Sequence, residues 1–308
     1  MKKILGILFC LLILAGCTPA PEVREGIAFT DDTGTEVCVH GKPHKVAVLL
    51  SSLADLWITA GGTVDITVGE TVQRGFAPET VILVDDGAGK TVNLELLIQQ
   101  QPDLVIYSSD LSGQLSCGET LKAAGIPAAG FAVETFEDYL KVLKIFTDIL
   151  DTPQRYETYG TALKAQIDAM IVSARGMENQ PDILFIRAGS SAKVTKAKTA
   201  ENHFVCVMLK ELGTNNIAQK APVLLDGLST EEILLSDPDV ILFTTMGDES
   251  ASAAFMESYL ADPVWGNLSA VRQGRVYQLP KELFQYKPNA RWAEAYGYLI
   301  QLLYGENA

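Results

Sequence analysis

Asn93-Leu-Glu95-Leu-Leu-Ile-Gln-Gln-Gln-Pro102-Asp103-Leu-Val-Ile-Tyr107 and Ser229-Thr-Glu231-Glu-Ile-Leu-Leu-Ser-Asp-Pro238-Asp239-Val-Ile-Leu-Phe243 align without a gap at a constant offset of 136 residues. Each copy reads as a polar cap, a short helix, a proline stop and a buried strand. A supersecondary unit recurring at that distance divides the chain into two structurally equivalent halves, with Glu95 and Glu231 at matching places. A carboxylate in a first helical turn complements the helix dipole by about 0.3–1 kcal/mol. Ser229-x-x-Glu232 has the pattern of a capping box, which leaves Glu231 free to face outward.

Working outward, short apolar runs surround the first copy: Val46–Leu50, Asp65–Val68, Val81–Val84, Leu104–Tyr107 and Ile126–Val133. They alternate with helix-like stretches at Leu53–Ala60, Asn93–Gln101 and Phe136–Leu150. Continuous apolar strands separated by helices indicate βαβ units around a mainly parallel, covered sheet. The same grammar restarts in the second half, with strands at Ile183–Ile186, Val240–Thr244 and Val276–Leu279. Helices are expected there over Asn202–Leu212, Thr230–Leu235, Ala253–Leu260 and Ala290–Tyr304.

Between the halves, Asp151-Thr152-Pro153 places a polar cap before a proline at the first helical position. Tyr156, Tyr159, Leu163, Ile167, Met170 and Ala174 then recur at steps of three and four. This predicts one helix ending near Arg175-Gly176, long enough at about 1.5 Å per residue to reach about 30 Å and bridge two lobes. The expected class is therefore α/β: two Rossmann-like lobes with mainly parallel sheets joined by one long bridging α-helix.

The N-terminus has a different grammar. Met1-Lys2-Lys3 precedes an unbroken apolar run from Ile4 to Ala15, then Gly16-Cys17, the order of a secretory signal rather than a membrane span. Leu14-Ala15-Gly16-Cys17 resembles the lipobox of bacterial lipoproteins, which implies diacylation at Cys17 and stable attachment to a membrane surface. The expected organisation is a signal peptide over 1–16, a lipidated tether over 17–28, an N-terminal lobe over 29–151, a bridging helix over 152–176 and a C-terminal lobe over 177–308.

Loss of Lys2 and Lys3, with no acid, takes the formal charge from −14 to −16, which argues against nucleic acid or anionic lipid as a partner. Of the five cysteines, Cys38, Cys117 and Cys206 remain after Cys10 and Cys17. Their spacing is neither a disulfide framework nor a zinc motif, and all three are expected as small buried hydrophobes. With only His40, His44 and His203, the chain offers no histidine cluster for a bare metal ion, so no metal site and no cofactor are expected. It has no Gly-x-Ser-x-Gly elbow, P-loop or Gly-x-Gly-x-x-Gly after a strand, so no enzyme is expected.

The repeat, the opening Lys45-Val-Ala-Val-Leu-Leu-Ser51-Ser52-Leu-Ala-Asp-Leu-Trp57, the bridging helix and the closing Asn267-Leu-Ser-Ala-Val-Arg-Gln-Gly274-Arg-Val-Tyr277 together resemble the ABC-transporter binding proteins for iron-siderophores, haem and cobalamin. The likeness covers about Phe29 to Tyr304. It implies a metal chelate held between the lobes, a ferric siderophore first and cobalamin or haem next. It also implies a monomer that delivers this ligand to permease subunits with a cytoplasmic ATPase. One glutamate per lobe pairs with permease arginines in that family, and the motif match makes them Glu95 and Glu231. The rival readings are a surface lipoprotein or adhesin without a small ligand, and a free metal-ion binder.

Ligands of parallel α/β sheets bind beyond the carboxyl ends of the strands. In the first lobe that rule selects Ser51 and Ser52 at a helix N-terminus, Tyr107 with Ser108 and Ser109, and the loop of Arg74 and Phe76. In the second it selects Arg187, the loop of Lys193, Lys196 and Lys198, and Thr244-Thr245. The resemblance adds Phe284, Tyr286, Arg291 and Trp292 from the segment before the last helix. Cations gathered at strand ends of an acidic protein point to an anionic ligand, with aromatic faces for an organic body.

Overall fold

A computed structural model describes residues 26–85 and 91–305; the signal and Cys17 fall outside the described residues. A hairpin of β1 (Ile27–Thr30) and β2 (Glu36–Val39) comes first. The first-lobe sheet is then laid down by β3 (Val46–Val48), β4 (Ile66–Thr67), β5 (Ile82–Leu83), β6 (Leu104–Ser108) and β7 (Ala128–Phe131). All five are parallel, in the order β5-β4-β3-β6-β7. The connecting helices are α1 (Ser51–Thr59), α2 (Gly69–Gln73), α3 (Leu94–Gln99) and α4 (Ser112–Ala123), followed by α5 (Phe136–Leu150).

The bridge comprises α6 (Pro153–Tyr156), a wide π turn at Glu157–Thr161, and α7 (Ala162–Arg175). It is one continuous helical run, as its periodicity predicts, but it is not α-helical throughout. A π turn displaces carbonyls from their usual partners, and the hydroxyl of buried Tyr139 donates to the carbonyl of Tyr159 at 2.9 Å. The capping pattern also differs from expectation. Ser229 accepts from the Glu232 amide at 3.4 Å, while the two-way box lies at Thr135 and Asp138 ahead of α5.

The second lobe contains β8 (Asp182–Ala188), β9 (Lys196–Ala197), α8 (Phe204–Glu211), β10 (Asn215–Asn216) and α9 (Thr230–Ser236). It continues with β11 (Val240–Thr245), α10 (Glu249–Leu260), α11 (Ser269–Arg272), β12 (Val276–Gln278), α12 (Lys281–Phe284) and α13 (Trp292–Tyr304). Strands β10-β8-β11-β12 are parallel, and β9 runs antiparallel on β8.

The repeat extends to atomic detail. Gln101 (φ 50°) and Asp237 (φ 37°) both turn left-handed before their prolines, where a following Pro already disfavours continued helix. The Asp103 amide donates to the Lys45 carbonyl and the Asp239 amide to the Asp182 carbonyl, both at 2.8 Å. In return, the Asp103 carboxylate accepts from the Lys45 amide at 2.8 Å and the Asp239 carboxylate from the Asp182 amide at 2.9 Å. Each Pro-Asp thus ties the start of β6 or β11 to the start of its neighbour, β3 or β8.

One apolar core runs across both lobes, from Val48, Ile106 and Phe146 to Phe185, Phe204 and Leu299. No helix among the described residues is long and apolar enough to cross a membrane.

Candidate functional site

In both sheets the chain winds outward in opposite directions from a central pair, β3/β6 in the first lobe and β8/β11 in the second. The crevice beyond the carboxyl ends of such a pair is where open α/β sheets bind ligands. The two crevices are filled differently. In the first, buried Gln114 from α4 donates to the Leu49 carbonyl at 2.7 Å and accepts from the Ser108 amide at 2.7 Å, stitching the ends of β3 and β6 together. In the second, Arg187 and Thr244 are register neighbours on β8 and β11. Arg187 Nε and Thr244 Oγ1 are buried with no hydrogen-bond partner among the described residues, as are Gln285 Oε1 and Trp292 Nε1. A buried orphan polar atom costs about 1–3 kcal/mol, so the neighbouring pair of Arg187 and Thr244 marks a surface made to be completed by something else.

Charge follows the same division. Arg187, Lys193, Lys196 and Lys198 take part in none of the ion pairs among the described residues. Burial, then like charge from Arg187 and Lys196, pulls the Lys198 pKa down. The first lobe contributes Asp110 and Glu134, both near Lys287. Asp110 is pushed above the usual carboxylate range, first by burial and then by Glu134. Lys287 crosses the junction to Glu134 at 2.8 Å with its ammonium over the Phe204 ring.

The structure brings together Ser51, Ser52, Arg74, Phe76 and Tyr286. Arg74 donates to Ser51 Oγ at 2.7 Å and Ser52 Oγ at 3.2 Å, and Ser51 donates onward to Glu70 at 2.7 Å. The guanidinium lies over the rings of Phe76 (4.9 Å) and Tyr286 (3.8 Å). Arg74 is therefore a strut between lobes, already supplied with partners, rather than a free cation. Beside it Asn289, in the segment before the last helix, donates to the Ser52 carbonyl and to Asp55, both at 2.8 Å. Burial raises the Asp55 pKa against the lowering effects of Asn289 and Arg74.

Other expected cleft residues lie elsewhere. Strand parity turns Tyr107 to the opposite face of the first sheet, where Gly118 and Gly130 make room for its ring: a Cβ on Gly118 would sit 2.3 Å from the hydroxyl. It lines a separate hollow of about 930 Å³ beside Val37, Cys38 and Leu115. Another hollow, about 960 Å³, lies near Arg275 and Gln180, whose Oε1 is also buried without a hydrogen-bond partner among the described residues; neither hollow is lined by Arg187 or Thr244. Arg291 is exposed and bound twice at 2.7 Å by Glu294, its neighbour one turn on. Trp292 and Phe284 are core residues, and the Trp292 ring packs between Phe136 and Phe204, each at 5.8 Å. Only the Trp292 indole nitrogen is left for site chemistry. Lys193 is exposed on a 3-10 turn at Ala192–Val194. Cys117 and Cys206 are buried, but Cys38 is exposed.

His203 is packed against Phe185 (4.8 Å) and Phe204 (5.2 Å). Its Nδ1 caps α8 by accepting from the Val205 amide at 3.3 Å.

Two equivalent parallel-sheet lobes, a helical bridge and a polar junction at the strand ends define a two-lobed solute-binding protein. The chain belongs to the periplasmic binding protein family, whose model matches residues 46–283, and such proteins work outside the cytoplasm. It is 20% identical over 288 residues to the Fe(3+)-citrate-binding protein YfmC of Bacillus subtilis, covering 90% of this chain and 88% of that protein. It is 23% identical over 236 residues to a vitamin B12-binding protein of Pectobacterium carotovorum, covering 75% and 83%. Among solved structures, Staphylococcus aureus SirA complexed with staphyloferrin B shares the fold with a TM-score of 0.69 at 16% identity, covering 90% of this chain and 98% of that one.

Burial holds the His203 imidazole down at about 3, helped by Lys287, Arg187 and Lys198. Since the folded value lies below the ordinary one, acidification protonates the unfolded chain first. The neutral ring's contribution is therefore present above about pH 6.5 and lost on the way down toward about pH 3, by up to about 1.4 kcal/mol per pH unit. His203→Asn keeps a cap acceptor and should flatten the dependence of urea-unfolding stability on pH between about 6.5 and 4.5. An unchanged slope would assign the proton uptake to another group.

Proposed function

We propose that this protein captures an anionic ferric chelate, a siderophore with carboxylate arms, at the inter-lobe junction and hands it to an ABC permease. The observation that carries this reading is the second-lobe crevice, where Arg187, Lys196 and Lys198 take part in no ion pair among the described residues, beside the orphan atoms of Arg187 and Thr244. A planar guanidinium with an open donor suits a carboxylate. The ligand for which the B. subtilis relative is named, ferric citrate, has that chemistry. Haem fits less well: with Nδ1 spent on the α8 cap, neutral His203 carries its proton on Nε2 and has no lone pair to give to iron. Cobalamin, with one phosphodiester among neutral amides, offers these cations less negative charge than a chelate with several carboxylates. A free metal-ion binder would need ligands that cations cannot supply, and an adhesin would not need orphan polar atoms at a strand-end crevice.

Titration of ferric citrate, ferric catecholates, ferric hydroxamates, haem and cobalamin, by calorimetry and tryptophan fluorescence, should find a carboxylate chelate binding below about 10 µM, or roughly 7 kcal/mol. Arg187→Gln should weaken it about 10- to 100-fold, the worth of one charge-assisted hydrogen bond. Tight binding of cobalamin with no ferric carboxylate binding would overturn the ligand assignment.

Glu95 and Glu231 are proposed to dock the permease. Both lie exposed in first helical turns behind equivalent caps, Asn93 and Ser229, and neither has an ion-pair partner among the described residues. Reversing both to arginine should abolish uptake by intact cells while ligand affinity stays within about threefold; loss of ligand affinity would move them into the cleft.

The lipid anchor at Cys17 is proposed on its lipobox. Cys17→Ser should shift the protein from the membrane pellet to the soluble fraction or leave the unprocessed precursor. A processed variant that still sediments with membranes would refute it.

A further inference from the structure

We infer that Leu235 is an orientation-setting contact for the permease, an apolar knob present on the second lobe alone. The inference rests on the reading of Glu95 and Glu231 as docking residues and adds to it. Leu235 follows Glu231 by four residues and so shares its helix face. It is 80% exposed, more than any other large hydrophobic side chain among the described residues. The offset of 136 puts Gln99 at the matching place in α3, also exposed.

Two equivalent glutamates alone give a face that reads nearly alike in either of two orientations related by half a turn. Leu235 against Gln99 breaks that degeneracy. Glu231 and Glu232 beside it are without ion-pair partners among the described residues, so the knob sits in an acidic setting that favours a basic partner surface over a second copy of this acidic chain. Its support is rigid: Asp237, which ends α9, accepts from both the amide and the hydroxyl of Ser269 at 2.7 Å. Val264, 40% exposed, precedes the Trp265–Asn267 turn that packs against α9 and extends the apolar surface. An apolar anchor ringed by charge is a common form of interface hot spot.

The test places a photo-reactive benzoylphenylalanine at position 235, 99 or, as an exposed control on the bridge, 172, in the full-length protein in its host cells. Linked partners are identified by mass spectrometry. Position 235 should link to a membrane-spanning transporter subunit about fivefold more than position 172, and the link should vanish in the Glu95→Arg/Glu231→Arg background. With the probe at 99, Leu235→Gln should cut the yield about tenfold, roughly the loss of one buried leucine contact, while Leu235→Met retains it. A probe that links at 99 but not at 235, or an undiminished yield in Leu235→Gln, overturns the role of Leu235 and leaves the glutamate face standing. No link from either 99 or 235 overturns both, and linking of 235 to a second copy of the chain overturns the permease as its occupant.

Discussion

The indole of Trp292, lodged between Phe136 of the first lobe and Phe204 of the second, is the contact on which the arrangement of the lobes depends. Edge-to-face aromatic pairs contribute about 0.5–1.5 kcal/mol each beyond area burial. Around this wedge, Arg74 stacks on Tyr286, Asn289 reaches Ser52 and Asp55, and Lys287 reaches Glu134. A large opening motion would have to break these contacts together while the bridge, packed on α13, resists bending. Such a junction is largely preformed. It suits a rigid, bulky ligand, because little conformational entropy is then lost on binding.

On the proposed reading, the charges at the junction would serve selection as well as affinity. A chain of formal charge −14 repels anions at long range, yet gathers Arg187, Lys196 and Lys198 in the second lobe. Burial keeps His203 neutral there, so it adds no further positive charge. An anionic chelate would relieve repulsion among these cations, whereas a bare cation would meet it in full. Asp110 and Glu134 of the first lobe would disfavour seating the same anion the other way round.

Much of this architecture is legible in the residues because it rests on periodicity and punctuation. The Pro-Asp repeat implies equivalent lobes, and the structure extends it to the same left-handed turn and the same backbone clamp. Other elements leave weak signals. Helix α4, Ser112–Ala123, buries only Gln114, Cys117, Gly118 and Leu121, so it shows no apolar stripe, and the β1–β2 hairpin lacks an apolar run. Individual site residues are harder still. Tyr107 follows from strand parity that a one-residue shift would reverse, and Arg291 is neutralised by a partner three residues away that helical spacing could have revealed. The burial of Trp292, the placement of Asn289 and the packing of His203 depend on contacts between segments far apart in the chain, which no local pattern encodes.

The two lobes are equivalent scaffolds with unequal crevices, in keeping with the proposal of a single anion site. In the first lobe, Gln114 satisfies the ends of β3 and β6, and Arg74 is satisfied by Ser51 and the aromatic rings; that half is finished as a structure. In the second, the guanidinium Nε of Arg187 and the hydroxyl of Thr244 stay buried and unpaired, at a cost in stability that packing alone does not explain. Unsatisfied polar groups that persist within otherwise well-ordered surroundings are the expected mark of function held against stability. The first lobe is thus satisfied as wall and strut, and under the proposed function the recognition chemistry falls to the second.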